Sequence, residues 1–234
     1  VIGLIRLPTL LNDIFKNINS RIDQTLLKFN VNEKAFIDFI NMSDNYNFRS
    51  LVVPSVMVPL AASIAKTPVC GVVGFPFGYH PVETKISEVE YIAKSGGKEV
   101  DVVVNVINLK SKRYDAIEEE ISKLTKMAHE LGLVIKFIVE TSVLEDEELL
   151  KIAEIVAYSG ADFIKTNTGY GPRGASLRDV LLIKNHVGDN IKIKASGGIR
   201  NAVDAGFFII AGADVIGSSS GIKIVEDAKR FLGL

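Results

Sequence analysis

The stretch that decides the fold is "VIKFIVETSVLEDEELLKIAEIVAYSGADFIKTN", Val134–Asn167. It opens with a short apolar run, passes through a longer amphipathic stretch and returns to a second apolar run. The first run, "VIKFIVET", is rich in β-branched residues and ends in polar ones, as a buried strand does. The middle carries acids in its first turn and Gly160 just past its end, which predicts a helix over Asp146–Ser159. The second run, "ADFIKTN", starts at Ala161 as another strand. Strand, helix, strand with short connections is the parallel βαβ unit.

The same unit repeats outward in both directions. Further strands are predicted at "RIDQTLL" from Arg21, "SLVVPS" from Ser50, "PVCGVVGF" from Pro68, "EVDVVVN" from Glu99, "IKIKAS" from Ile191 and "DVIGSS" from Asp214. A helix over Asp115–Leu131 places Ile117, Ile121, Leu124 and Ala128 on one face. Eight such units in 234 residues, with no long Ser/Pro/Gly linker, predict an α/β chain folded as a TIM (β/α)8 barrel, one domain over residues 1–234. A doubly wound open sheet is the alternative, but the first strand is not followed by a dinucleotide fingerprint. The segment "LPTLLNDIFKNINS" predicts an extra N-terminal helix, expected to cover the bottom of the barrel.

Composition narrows the function. The formal net charge is -1 and no run of like charge is long, so neither nucleic acid nor a membrane surface is an expected partner. A single cysteine, Cys70, rules out a disulfide within the chain and fits a reducing, cytoplasmic setting. "VIGLI" at the start is too short for a signal core or a span. His80, His129 and His186 do not cluster, and no Cys/His/carboxylate set has metal-ligand spacing, so neither metal nor cofactor is expected.

Active sites of such barrels lie at the C-terminal ends of the strands. The polar residues closing the runs are therefore the ones to weigh: Asp23 and Thr25, Asp101 and Asn105, Lys136, Glu140 and Thr141, Lys165, Asn167 and Thr168, Lys194 and Ser196. Strand side chains alternate between faces, which lets Asp101, Lys165 and Lys194 meet inside the mouth. One charge in an apolar strand makes an ordinary ion pair. Three on different strands at equivalent depth suggest chemistry. Two neighbouring ammonium groups disfavour each other's charge and leave one amine nucleophilic. Bringing a lysine from its ordinary value of about 10.4 to near neutrality costs roughly 4 kcal/mol, within reach of a like charge plus desolvation. The chemistry implied is a Schiff base with an aldehyde or ketone. Lys136 is the rival nucleophile, but it enters its strand early and reads as a buried partner of Asp101, Glu140 or Asp23. Cys70 reads as a small core residue.

"ASGGIR" (Ala195–Arg200) and "GSSSG" (Gly217–Gly221) follow the seventh and eighth runs and open helices. Phosphate sites in these barrels are frequently built there, because glycine lets backbone N–H groups approach an anion at a helix N-terminus.

Taken in order, "IDQTLL", "VCGVVGFPFG", "EVDVVVNV", "ADFIKTNTGYG", "KASGGIR" and "IGSSSG" resemble the motifs of the deoxyribose-phosphate aldolase family, from Ile22 to Gly221. The resemblance implies a class I, metal-independent aldolase that cleaves 2-deoxy-D-ribose 5-phosphate reversibly to D-glyceraldehyde 3-phosphate and acetaldehyde. It makes Lys165 the Schiff-base lysine, Lys194 the lysine that tunes it, and Asp101 the acid/base residue acting through water. It places phosphate at Gly169, Gly197, Gly198, Gly217, Ser219 and Ser220, with Asp23, Thr25, Lys136 and Thr168 in support. It implies a small sugar phosphate as substrate, no cofactor, a homo-oligomer (dimer or tetramer) and a cytoplasmic setting. Gln24, Asn167 and Ser142 depart from the commoner family residues. The competing readings are a sugar-phosphate isomerase using paired carboxylates, which would form no covalent adduct, and a non-catalytic phosphosugar binder.

Overall fold

The computed structural model describes residues 2–234, with side chains from residue 7 onward. Eight parallel strands close on themselves in chain order, β1 pairing with both β2 and β8. The strands are β1 (Ile22–Thr25), β2 (Ser50–Pro54), β3 (Val69–Val73), β4 (Glu99–Val103), β5 (Val134–Ile138), β6 (Phe163–Lys165), β7 (Lys192–Ser196) and β8 (Val215–Ser218). All eight expected runs form strands, each shorter than its apolar stretch because the polar ends leave the ladder to build loops. Closure satisfies every sheet edge and confirms the barrel over the open sheet.

The helices are α1 (Ile2–Lys16), α2 (Glu33–Ser43), α3 (Val58–Ile64), α4 (Val82–Lys94), α5 (Val106–Lys110), α6 (Tyr114–Glu130), α7 (Asp146–Tyr158), α8 (Leu177–Val187), α9 (Ala202–Ile210) and α10 (Gly221–Leu232). Helix α6 buries Ile117, Ile121, Leu124 and Ala128, the predicted face. Helix α7 begins at a capping box in which Glu145 and Glu148 satisfy each other's backbone N–H groups. The first and extra helix, α1, corrects the expectation of a bottom cover. It docks on the outer layer against α9 and α10, where Phe15 meets Phe231 edge to face at 5.0 Å. Gly206 on α9 has no side chain to hold it off: a Cβ there would lie 2.6 Å from Leu11 Cδ2.

The apolar core lies between strands and helices. Leu51, Val53, Val100, Val102, Ile135, Phe137, Ile164, Ile193 and Ile216 belong to it, and all are fully buried. Strand side chains alternate, so their neighbours face the barrel axis. Inside the barrel Val52, Cys70 and Val72 form a small apolar group, and Val103, Ile138, Phe163 and Val215 share the inward strand faces. Among them lies a set of charged residues: Asp23, Glu99, Asp101, Lys136, Lys165 and Lys194 are all buried there. Barrels of this architecture usually fill their axis with branched apolar side chains. Six charged side chains buried along the axis are therefore the first structural sign of function.

Candidate active site

Asp101 is the hub. It stands on β4 in register with Lys136 on β5, and Lys136 is in register with Phe163, two residues before Lys165 on β6. Lys136 thus lies one layer deeper than Lys165, as its early place in the strand predicts. Asp101 bridges the two layers. Its Oδ1 accepts from Lys136 Nζ at 3.0 Å and from the Cys70 thiol at 3.3 Å. Its Oδ2 accepts from Lys165 Nζ at 2.8 Å and from Lys194 Nζ at 2.7 Å. Lys165 and Lys194 are direct partners in the β6–β7 register, so both side chains rise from the same level. Sharing one acceptor atom holds their nitrogens within the roughly 6 Å over which charges act strongly on one another.

Burial is nearly complete, with Lys165 at 3% exposure and Asp101, Lys136, Lys194 and Asp23 at 0%. Each charge therefore answers to its neighbours. Burial and the Lys194 ammonium together push the Lys165 amine below its ordinary value, against the attraction of Asp101. Burial is the larger of the two, a refinement of the sequence expectation. Burial opposes charge on Lys194 as well, but Asp101 and Asp23 outweigh it and hold that amine above its ordinary value. Burial opposes charge on Lys136 too, but Asp101, Glu99 and Asp23 around it outweigh that and hold its amine well above the ordinary value. Asp101 is held well below the carboxylate range; burial favours its neutral form, and Lys136, Lys165 and Lys194 overcome that. The arrangement thus separates three lysines into two held above the ordinary lysine value and one, nearest the mouth, held below it.

Beneath this layer the ion pairs continue. Lys194 Nζ lies 2.6 Å from Asp23 Oδ2, a close ion pair whose angle is not that of a hydrogen bond. Asp23 Oδ1 accepts from Arg49 Nη1 at 2.8 Å, and the same guanidinium nitrogen donates to Glu99 Oε2 at 2.8 Å. Glu99 Oε2 also accepts from Lys136. Sequence reasoning missed Arg49 and Glu99 and set Cys70 aside. Glu99 stands at the start of its strand and Arg49 just before its own, where a charge ordinarily meets solvent.

Above Lys165 is a polar cavity of about 200 Å³. Thr25, Thr168, Gly169, Gly197, Gly198, Gly217 and Ser219 line it, together with Lys165 itself, Ser196, Ser218 and Arg200. The strand-end residues expected to bind an anion are thus gathered over the lysine. Ser220 is different: it is the N-cap residue of α10, beside the cavity and outside its lining. Gly217 is required by its neighbours, since a Cβ there would lie 2.9 Å from Ser196 Cβ and 3.0 Å from Lys194 Cε. Gly198 adopts φ +80°, and its missing Cβ would point into open space.

Loop residues hold this frame. Glu140, at a left-handed φ of 53°, accepts from Thr168 N at 2.9 Å, Thr168 Oγ1 at 2.6 Å and Asn167 Nδ2 at 2.9 Å. Ser142 donates to the same carboxylate. Asn167 and Ser142 therefore brace the loop after β6. Gln24 Oε1 accepts from Gly221 N at 2.8 Å and so caps α10. Asn105 caps α5, its Oδ1 accepting from Asn108 N at 3.1 Å. Among the described residues no group of three His, Cys, Asp or Glu side chains is arranged to hold a metal, and no helix is long and apolar enough to cross a membrane.

Comparison with known proteins agrees with this geometry. The family model of the DeoC/LacD family aldolases matches residues 54–227. The deoxyribose-phosphate aldolase of Caldanaerobacter subterraneus subsp. tengcongensis is 44% identical over 218 residues, covering 92% of this chain and 94% of the relative. A solved aldolase designated QR15 superposes with a TM-score of 0.89 at 42% identity, over 93% of this chain and 99% of its own. The structure described as the unique tetrameric structure of deoxyribose phosphate aldolase from Aeropyrum pernix gives a TM-score of 0.88 at 31% identity, over 95% and 97%. With the paired lysines on one aspartate, a glycine-lined polar pocket above them and these likenesses over nine-tenths of its length, the chain belongs to the DeoC/LacD family of aldolases.

Proposed function

We propose that this enzyme is a deoxyribose-phosphate aldolase, cleaving 2-deoxy-D-ribose 5-phosphate reversibly to D-glyceraldehyde 3-phosphate and acetaldehyde through a Schiff base on Lys165. One observation carries the reading: Lys165 and Lys194 donate to a single oxygen of Asp101 at the floor of a glycine-lined pocket. An isomerase working through paired carboxylates needs neither lysine, and a passive binder does not need an amine biased towards its neutral form.

The free amine of Lys165 attacks C1 of the open-chain sugar. Loss of water gives an iminium. Asp101 is ionised, the form a base requires, and takes the C3 hydroxyl proton through a water molecule. The C3–O⁻ electron pair forms the carbonyl of glyceraldehyde 3-phosphate while the C2–C3 pair moves into the iminium, leaving an enamine. Protonation at C2 and hydrolysis release acetaldehyde and return the amine. Lys194 stays charged throughout and keeps positive potential beside Lys165 and the developing oxyanion.

The phosphate sits across the turns after β7 and β8. Gly169, Gly197, Gly198, Gly217 and Ser219 offer backbone and hydroxyl donors, with the start of α10 at Ser220 favouring the anion. Asp23, Lys136, Thr25 and Thr168 hold the frame. Residues 1–234 act as one catalytic domain in the cytoplasm, as a dimer or tetramer. The test is reduction with borohydride in the presence of substrate, followed by peptide mass mapping of the modified lysine.

A further inference from the structure

Asp23, Glu99, Asp101, Arg49, Lys136, Lys165 and Lys194 form one continuous ionic cluster. It runs from Arg49, just before β2 at the end of the barrel away from the pocket, to Lys165 at the mouth. Four of its members are cationic and three are carboxylates. If every group carried its ordinary charge, the column would hold one excess positive charge in a buried setting, which is costly. Losing one proton removes the excess. Arg49 cannot lose one, because guanidinium stays protonated at any working pH. Lys136 and Lys194 are each enclosed by two or more carboxylates. Lys165 touches only Asp101 and is the lysine that borders the pocket.

We propose that Arg49, remote from the pocket, is a positioning residue that makes Lys165 the neutral amine by supplying the cluster's one surplus positive charge. This rests on the reading of Lys165 as the nucleophile. Arg49 occupies Asp23 Oδ1 and Glu99 Oε2, each at 2.8 Å, and so draws on carboxylates that also serve Lys194 and Lys136. Those two lysines then lean more heavily on Asp101. Less of that carboxylate is left to stabilise a charge on Lys165. Phe163 supports the placement: its ring faces the Arg49 guanidinium at 5.1 Å and Lys192 Nζ at 5.4 Å, walling the lower end.

Six of the eight strands, and the residue before β2, contribute a charged or titratable group to this balance. Asp23 comes from β1, Arg49 from the approach to β2, Cys70 from β3 and Glu99 and Asp101 from β4. Lys136 comes from β5, Lys165 from β6, and Lys192 and Lys194 from β7. The Cys70 thiol, buried beside Asp101, is pushed up and stays neutral. Glu140 above is engaged with Thr168 and Asn167, and Arg200 lines the pocket.

The experiment measures kcat/KM for cleavage of 2-deoxyribose 5-phosphate against pH, with borohydride mapping of the adduct in each variant. Arg49→Met removes the surplus charge, so the acid limb of the profile should move up by about one pH unit. Arg49→Met/Glu99→Gln removes one charge of each sign and should return the limb to its wild-type position. A merely structural Arg49 would make the double variant worse. Should Arg49→Met not fold, Glu99→Gln tests the balance from the other side, and its limb should move to lower pH. An adduct on Lys165 with an unmoved limb in Arg49→Met and Glu99→Gln overturns this proposal alone. An adduct on a different lysine overturns it together with the reading of the nucleophile.

Discussion

Lys165 and Lys194 point their ammonium nitrogens at the same atom, Asp101 Oδ2, from 2.8 and 2.7 Å. A carboxylate oxygen between two like charges does two things at once. It holds them close enough to repel, and it leaves the one with fewer other partners easier to deprotonate. Lys194 has Asp23 as a second carboxylate; Lys165 has none.

Lys194→Met removes the like charge and keeps the volume. The Lys165 value, now depressed, should rise. A raised lysine value means less free amine at a given pH, so activity near pH 7 should fall by about tenfold or more, with the acid limb moved one to two units upward. Activity should partly recover as pH is raised through the new value. A uniform loss with an unmoved limb would mean that Lys194 acts on a later step only.

Gly217→Ala places a methyl group 3.0 Å from Lys194 Cε and 2.9 Å from Ser196 Cβ, too close for either to stay in place. Lys194 should tilt off Asp101. The expected result is a fall in kcat/KM of about tenfold, with global stability reduced by about 1–3 kcal/mol. Steady-state kinetics beside urea denaturation separates the two effects.

Ser219→Glu puts a carboxylate on the lining of the pocket above Lys165. KM for the phosphorylated sugar should rise by at least about tenfold, while turnover of unphosphorylated deoxyribose changes little. Equal losses on both substrates would place the phosphate elsewhere.

Away from the site, buried Lys85 donates to Glu120 Oε1 at 2.6 Å and to Val103 O at 2.8 Å. Burial pushes the Lys85 amine down and the Glu120 carboxyl up. Lys85→Ala strands the glutamate and should cost about 3–5 kcal/mol in urea denaturation, whereas Lys85→Met with Glu120→Leu should be close to neutral.

Much of this was legible in the sequence, for identifiable reasons. Strands buried on both faces must be continuous apolar runs, so the barrel could be read from eight of them. Lys165 stands out because Asp101 and Lys194 close other runs at equivalent depth, whereas one charge alone reads as an ordinary ion pair. Lys136 was placed correctly one layer down, since depth follows position along a strand. Arg49 and Glu99 stayed hidden because their partners come from strands far apart in sequence, and charge at a strand's start usually meets water. Cys70 resembles its apolar neighbours, and only the pairing of β3 with β4 brings its thiol to Asp101. The serines of "GSSSG" look equivalent in the sequence, whereas the backbone sends Ser219 to the pocket and Ser220 to the helix cap. The place of α1 depended on Gly206 leaving a groove for it.

The central claim is that Lys165 carries the substrate, and adduct mapping tests it most directly. Wild-type enzyme incubated with 2-deoxyribose 5-phosphate and borohydride should gain one reduced adduct, in the peptide containing Phe163–Asn167, and lose activity in step. Lys165→Arg, whose guanidinium cannot form an iminium, should show no adduct and at least a thousandfold less turnover, about the loss expected when a covalent nucleophile is removed. An active Lys165→Arg enzyme, or an adduct on Lys136 or Lys194 in the wild type, would contradict the account.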